Sequence, residues 1–479
     1  MHSFYRFPSV VLSVFCLSSC SLYGDYFSAA PDDPAQGKRY AAVADVADRQ
    51  DHDALSPWGD TPWWHVFERP DLDRLIVSAY DGNQTVAQAV ARLKQAQAVA
   101  KQTGSDRFPE VSATADAGKS WEESDAQRGT ASAGVSLSWE IDFFNRIGAA
   151  TEADRLLAEA RAEDVESLKL FLSADIASAY FGAASARRRL ALLNDQVTLD
   201  NDLLDLLELR LENGIGTSVD VLQQKSQLAD SKTLIPLAEA DLRVFENQLD
   251  VLVGEMPDGV DRVAADEDLR FVQTLPHVGV PSDLLLHRPD LRAQLRVLQA
   301  ADADIRAAIA DRLPRIMLDG SYLYSDAASY TGPLGTIVGN FVQPLLDWGK
   351  RRAAVTENKA IYEEELARFT QTYLEAVRDV ENALYQERRQ REYLARLEER
   401  RDILEETVSE TDARYKQGID DYLPVINALQ ELREVERRLI TEQRALVDYR
   451  IDLYRAVGGN IDAQDVTIKK DATHEKTNG

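Results

Sequence analysis

From Ala131 to Phe143, apolar and polar residues alternate without interruption. Ala131, Ala133, Val135, Leu137, Trp139, Ile141 and Phe143 share one face, and Ser132, Gly134, Ser136, Ser138, Glu140 and Asp142 share the other. Val111, Ala113, Ala115 and Ala117 alternate with Ser112, Thr114, Asp116 and Gly118 in the same way. A period of two is that of a strand, so a pair of strands is expected over 109–143. A second pair is expected over 314–348, where Ile316, Leu318, Tyr322 and Tyr324 fall on one face and Met317 and Asp319 on the other. Such strands suit a soluble sheet with one buried face, or a membrane β-barrel with its apolar face in lipid.

Elsewhere the period is helical. Tyr362, Leu366, Phe369, Tyr373, Ala376, Val380 and Ala383 keep strict 4-3 spacing, the seam of a coiled coil. Val425, Leu429, Leu432, Val435, Leu439, Leu446, Tyr449 and Leu453 give a following helix its own stripe. Neither Pro nor Gly occurs from Lys350 to Gln417, which predicts one helix roughly 100 Å long at about 1.5 Å per residue. A helix of that length must run beside partners equally long. Shorter helices are expected over 71–105 and 288–311.

The pattern repeats. Asp106-Arg107-Phe108-Pro109 matches Asp311-Arg312-Leu313-Pro314, Arg210 and Gly214-Ile215 match Arg414 and Gly418-Ile419, and Val253-Gly254 matches Val457-Gly458. Landmarks holding an offset of 204 or 205 positions across the chain identify a tandem duplication. The expected organisation is a removed signal (1–19), an anchored segment (20–62), a first repeat (63–254, hairpin tip near 214), a linker (255–283), a second repeat (284–458, tip near 418) and a polar tail (459–479).

Composition then removes alternatives. The chain has 479 residues, with 54 Lys+Arg against 81 Asp+Glu and a net charge of −27, the wrong sign for a nucleic-acid partner. Arg6, the apolar run Val10–Leu17 and small residues up to Cys20 read as an export signal too short to span a membrane. Leu17-Ser18-Ser19-Cys20 resembles the bacterial lipobox, in which the Cys is lipidated and becomes the first mature residue; the alternative is an ordinary signal with an incidental Cys. Ser21 after the Cys favours the outer membrane by the same resemblance. With an exported, lipid-bearing chain, the barrel becomes the better reading of the strands. Four strands cannot close a barrel in lipid, which tolerates no open edge. Three copies supply twelve.

No catalytic constellation is legible. Gly118-Lys119-Ser120 lacks the earlier Gly of a phosphate loop, the His residues are scattered, and no metal-ligand spacing is present. The Glu/Arg runs Glu387-Arg388-Arg389 and Glu398–Arg401 are expected on solvated helix faces. No cofactor is called for beyond the lipid on Cys20.

Trp63-Trp64-His65-Val66-Phe67, Asp71-Leu72, Ala91-Arg92-Leu93, Ile235-Pro236-Leu237, Pro281–Leu285, Arg288–Arg292, Arg414-Tyr415, Gly418 and Asp421–Leu423 together resemble the TolC-like outer-membrane efflux lipoproteins of tripartite resistance-nodulation-division pumps. The resemblance runs from about Trp63 to Gly458. It implies a mainly α protomer with a β portion, trimerising into a twelve-strand outer-membrane barrel continued through the periplasm by a helical tunnel. It further implies a passive, non-enzymatic duct for small molecules, opened at its helix tips by a periplasmic adaptor and an inner-membrane pump. Tip candidates carried over in this way are Gly214, Asp220, Tyr415, Gly418, Asp420, Asp421, Leu423 and Asn427, with Leu423 at the expected constriction. Family members that carry a ring of Asp have it where Pro424 and Asn427 stand here. Asp420 and Asp421 could instead be acids starting the next helix. The competing expectations are a type I secretion duct and a lipid-anchored coiled-coil scaffold without a pore.

Overall fold

The computed structural model describes residues 62–121, 127–264, 267–271, 275, 281–327 and 330–460. They fall into two compact units: one holds residues 90–164 and 290–372, the other residues 62–89, 165–289 and 373–460.

The first unit carries a four-stranded antiparallel sheet. Its strands β1 (Glu110–Trp121), β2 (Gln127–Ile141), β3 (Arg315–Ala327) and β4 (Tyr330–Val342) lie in that order. The register aligns Ala113 with Val135 and Val135 with Tyr322, and aligns Ser112, Ser136, Ser321 and Thr336 in one row across all four strands. The sheet therefore has one apolar and one polar face, as the period of two requires. On the polar face Ser112 and Ser136 hydroxyls meet at 2.7 Å, Ser321 and Thr336 meet at 2.6 Å, and Asp319 accepts from Ser138 at 2.9 Å and Asn340 at 2.7 Å. The apolar face is bare among the described residues: Tyr322 is 62% and Ile337 83% exposed. A soluble sheet with one buried face does not look like this. Pro333 sits on β4, an edge strand, the place in a sheet to which proline is confined.

The strands stop earlier than the alternation suggests. β2 ends at Ile141, before Asp142 and Phe143, because the Asp142 carboxylate accepts from the N–H groups of Ile147 (3.1 Å) and Gly148 (2.6 Å), capping the helix that follows. The second repeat does the same: Asp347 accepts from Gly349 (3.0 Å) and Arg351 (3.2 Å), after β4 has ended at Val342.

Helix α1 (Pro70–Gly82) is separated from α2 (Gln84–Ser105), so the single helix expected over 71–105 is broken at Asn83. The Asn83 side chain accepts from Thr85 N–H (2.8 Å) and Val86 N–H (3.2 Å), starting α2, and donates to the Leu252 carbonyl (2.8 Å). The helix expected over 288–311 is present as α6 (Pro289–Ala310), preceded by the short α5 (Leu284–His287), with Pro289 placed where its missing N–H is harmless. The long elements are α3 (Arg146–Glu212) and α7 (Lys350–Lys416), 67 residues each, returned by α4 (Ser218–Val253) and α8 (Leu423–Val457). None of the described helices is long and apolar enough to cross a membrane.

In the second unit the 3-10 turn Trp63–Phe67 docks on these hairpins. Trp63 stacks on Tyr454 (5.5 Å) and donates to Ser173 (3.0 Å), while Phe67 packs on Phe181 (4.8 Å). The Glu/Arg runs are not uniformly solvated. Glu387 is fully buried and holds Arg450, itself 0% exposed, through Oε1 at 2.6 Å. The heptad pattern puts Glu387 seven residues after Val380, on the inner seam rather than the outer face.

The hairpin tips as candidate functional site

Both long hairpins turn in the second unit, and their turns are built alike. Gly214 N–H bonds Leu211 C=O at 3.0 Å and Ile215 N–H bonds Arg210 C=O at 3.0 Å; Gly418 and Ile419 make the equivalent bonds to Tyr415 (2.9 Å) and Arg414 (3.0 Å). This is the pairing that satisfies the last carbonyls of a helix when the next residue is left-handed. Gly214 and Gly418 take φ of +70° and +71°, which only glycine adopts at little cost.

Leaving the turns, the two repeats differ. Thr217 caps α4: its hydroxyl accepts from Asp220 N–H at 3.1 Å, and the Asp220 carboxylate accepts from Thr217 N–H at 3.3 Å. In the second repeat Asp421 and Pro424 occupy the equivalent positions, and α8 begins after Tyr422 with no side-chain cap. Neither Asp420 nor Asp421 caps α8. Asp420 pairs across the turn with the Arg414 guanidinium, which holds its carboxyl below the ordinary value. Asp421 is exposed in the turn. Leu423 is 50% exposed at the first position of α8, with Pro424 and Asn427 exposed on the same flank.

One apolar cluster joins the two tips: Leu207 from α3, Val221 from α4, Tyr415 from α7, and Tyr422, Val425, Ile426 and Leu429 at the start of α8. Arg210 lies over the Tyr415 ring at 4.7 Å, and that ring tilts against Tyr422 at 5.3 Å. The structure thus brings Tyr415 into the core between the tips and leaves Leu423 and Asn427 outside it. Cys20 lies outside the described residues.

Beneath this cluster is a polar network that the sequence reading missed. The Tyr422 hydroxyl donates to Gln224 Oε1 (2.8 Å), and Gln224 Nε2 donates to the Asp200 carbonyl and carboxylate (2.9 Å each). Ser231 donates to the other Asp200 oxygen at 2.7 Å, and Arg433 pairs with Asp200 at 2.7 Å. Asp200 and Gln224 are 0% exposed and Arg433 3%. Burial and the neighbouring Asp200 charge raise the Tyr422 hydroxyl well above its ordinary value, so it remains a donor. A sequence signal exists in retrospect: Asp200 lies seven residues from both Leu193 and Leu207, two buried leucines, and is a charged residue in an apolar register. Among the described residues no cluster of His, Cys, Asp and Glu has the makings of a metal site.

A four-stranded sheet bare on its apolar face, two long hairpins and a duplicated plan define a protomer of the channel-forming kind. The profile of the outer membrane efflux protein family matches residues 75–255 and 280–459, once per repeat, and the chain belongs to that family. Among its relatives, the pyoverdine export outer membrane protein OpmQ of Pseudomonas putida is 29% identical over 430 residues, covering 85% of this chain and 90% of OpmQ. The toluene efflux pump outer membrane protein TtgF of Pseudomonas putida is 27% identical, covering 97% of this chain and 99% of TtgF. The solved outer-membrane channel OprN superposes with a TM-score of 0.78 at 26% identity, covering 90% of this chain and 99% of OprN. The chain is an outer-membrane efflux component with the TolC-like fold.

Proposed function

We propose that three copies of this chain close a twelve-strand barrel through the outer membrane and continue it inward as a helical tunnel ending at the paired tips. The observation that carries this reading is the sheet: β1 and β4 find no further strand within the described chain, and its apolar face has no cover. Lipid can accept the face but not the edges, so edge must meet edge between copies. The polar face, lined by the Ser112–Thr336 row, would then look into a water-filled lumen.

In this reading the chain makes and breaks no bond and needs no cofactor. It is a passive duct for small molecules, and the energy comes from an inner-membrane pump of the resistance-nodulation-division class acting through a periplasmic adaptor. Gating belongs to the tips, where Leu423 in triplicate narrows the passage and the Tyr415–Tyr422 core and the Asp200 network hold the hairpins together. The lipid on Cys20 supplements the barrel as an anchor; the Leu17–Cys20 tetrad supports it, as does the name of a 25% identical relative, the probable outer membrane lipoprotein SilC of Salmonella typhimurium.

The test is single-channel conductance in a planar bilayer, wild type beside Leu423→Ser. A conductance that is low in the wild type and rises in the variant places both pore and constriction. If folded trimers of neither protein conduct, the duct reading fails and a scaffold takes its place.

A further inference from the structure

The polar face of the sheet is polar throughout only on its β1 side. There β1 presents Ser112, Thr114 and Asp116, whereas the edge strand β4 presents Leu334, Val338 and Val342 on the same face. Those three apolar side chains are 50%, 48% and 53% exposed. Leu323 of β3 stands directly across from Leu334, and Asp319 directly across from Val338. Directly opposed side chains have Cβ atoms about 5 Å apart, and the two pairs are separated by roughly 13 Å of strand. In the row between them the Ser321 and Thr336 hydroxyls bond each other at 2.6 Å, so that row is partly satisfied without water. Leu323 reaches back over β2, where Gly134 leaves it room: a Cβ there would meet the Tyr322 carbonyl and come 2.7 Å from Leu323 Cδ2.

The duplication shows that folding does not ask for these apolar residues. Their same-face mates in the first repeat, 204 positions back for β4 and 205 for β3, are Thr130 for Leu334, Gly134 for Val338, Ser138 for Val342 and Gly118 for Leu323. Strands of the same plan hold their place there with hydroxyls and glycines. A contiguous apolar strip kept in contact with water marks a surface that something covers in use. Asp319 says what charge the occupant carries. Its carboxylate accepts from the neutral donors Ser138 (2.9 Å) and Asn340 (2.7 Å), and no cation pairs with it among the described residues.

We propose that this strip is a binding station in the duct wall for an organic cation with an apolar body, Leu323, Leu334 and Val338 covering the body and Asp319 facing the charge. The proposal rests on the reading of this face as the lumen and goes further by giving the passage a wall that holds its cargo. Around the barrel, β4 of each copy is followed by β1 of the next, so three apolar strips alternate with polar ones. Cargo held on one strip leaves water in the rest of the passage. A neutral molecule of the same shape gains the apolar contact and lacks the Asp319 attraction.

The test uses full-length trimers carrying Leu423→Ser, the variant chosen above to open the tips, in a planar bilayer with potassium chloride on both sides. Tetraphenylphosphonium is added, and the blocked current is read as a fraction of each protein's own open current. Reversible block is expected, with none from tetramethylammonium, an equal charge without the apolar body, at the same concentration. Leu323→Ser with Leu334→Thr should raise the half-blocking concentration about tenfold, the worth of one to two buried methylenes. Asp319→Asn should raise it several-fold, and Thr114→Ala on the polar strip should leave it unchanged. If the leucine variant does not assemble, Val338→Ser and Asp319→Asn read the same strip. Potassium current without block, or block unchanged in the strip variants, overturns the proposal and leaves the duct standing. Equal block by tetramethylammonium overturns it as well, since charge alone would then account for the effect. If folded trimers carry no current, both readings fall.

Discussion

Removing Arg433 while keeping Asp200 should be one of the most damaging single changes in the helical unit. The two charges are 2.7 Å apart and essentially without solvent. At an effective dielectric of about 20 their attraction is roughly 6 kcal/mol, and most of it offsets the desolvation of both groups. The intact pair therefore adds little net stability, but Arg433→Ala strands a buried carboxylate held only by the neutral donors Gln224 and Ser231. The expected loss is about 3–5 kcal/mol. The apolar alternative is written in the other repeat, where Leu404 and Ala229 occupy the equivalent positions. Asp200→Leu combined with Arg433→Ala removes both charges, and Gln224 still has the backbone carbonyl of residue 200 as acceptor. The double variant should recover about 2 kcal/mol or more of the single variant's loss, leaving the cost of the Ser231 hydroxyl. The assay is denaturant unfolding of the detergent-purified protein, followed by far-UV circular dichroism, for the wild type, both single variants and the double. An Arg433→Ala variant within about 0.5 kcal/mol of wild type, or strictly additive losses in the cycle, would refute the reasoning.

Tyr422→Phe should cost about 1–3 kcal/mol in the same assay by leaving Gln224 Oε1 without its donor, and should raise channel conductance if the network restrains the tips. At Gly418, where an added Cβ meets nothing within 4 Å, Ala should cost only backbone strain, about 1–2 kcal/mol, read as a lower denaturation midpoint. Asp420 has a lowered folded value, so its bond to Arg414 contributes above the ordinary Asp range and is lost as pH falls through the lowered value. Proteolytic sensitivity of the second tip should rise below about pH 4, and Arg414→Ala should abolish that dependence. Cys20→Ala should remove the lipid, detected by mass spectrometry, yet leave the protein in outer-membrane fractions, because the barrel is an anchor of its own.

The elements, their order and the duplication were legible along the chain because each rests on local periodicity. A period of two marked the strands, 4-3 spacing the long helices, and Gly214 and Gly418 the turns, since a left-handed residue ends a helix whatever surrounds it. Exact boundaries were not legible: Asn83, Asp142 and Asp347 interrupt regular structure through side-chain bonds to backbone N–H groups, which no periodicity records. Of the candidate tip residues, Gly214 and Gly418 form the turns, Asp220 a cap, Tyr415 the core between the tips and Asp420 an ion pair with Arg414. Asp421, Leu423 and Asn427 stay on the surface of the single copy. The roles of Asp200, Gln224 and Arg433 could only come from tertiary structure. Composition assigns acids and arginines on long helices to water, and only the packing of α3, α4 and α8 takes Asp200 and Arg433 out of it. The same holds for Glu387 and Arg450: the cost of burying a charge is met by a partner more than sixty residues away, and that pairing exists only once the helices have folded together.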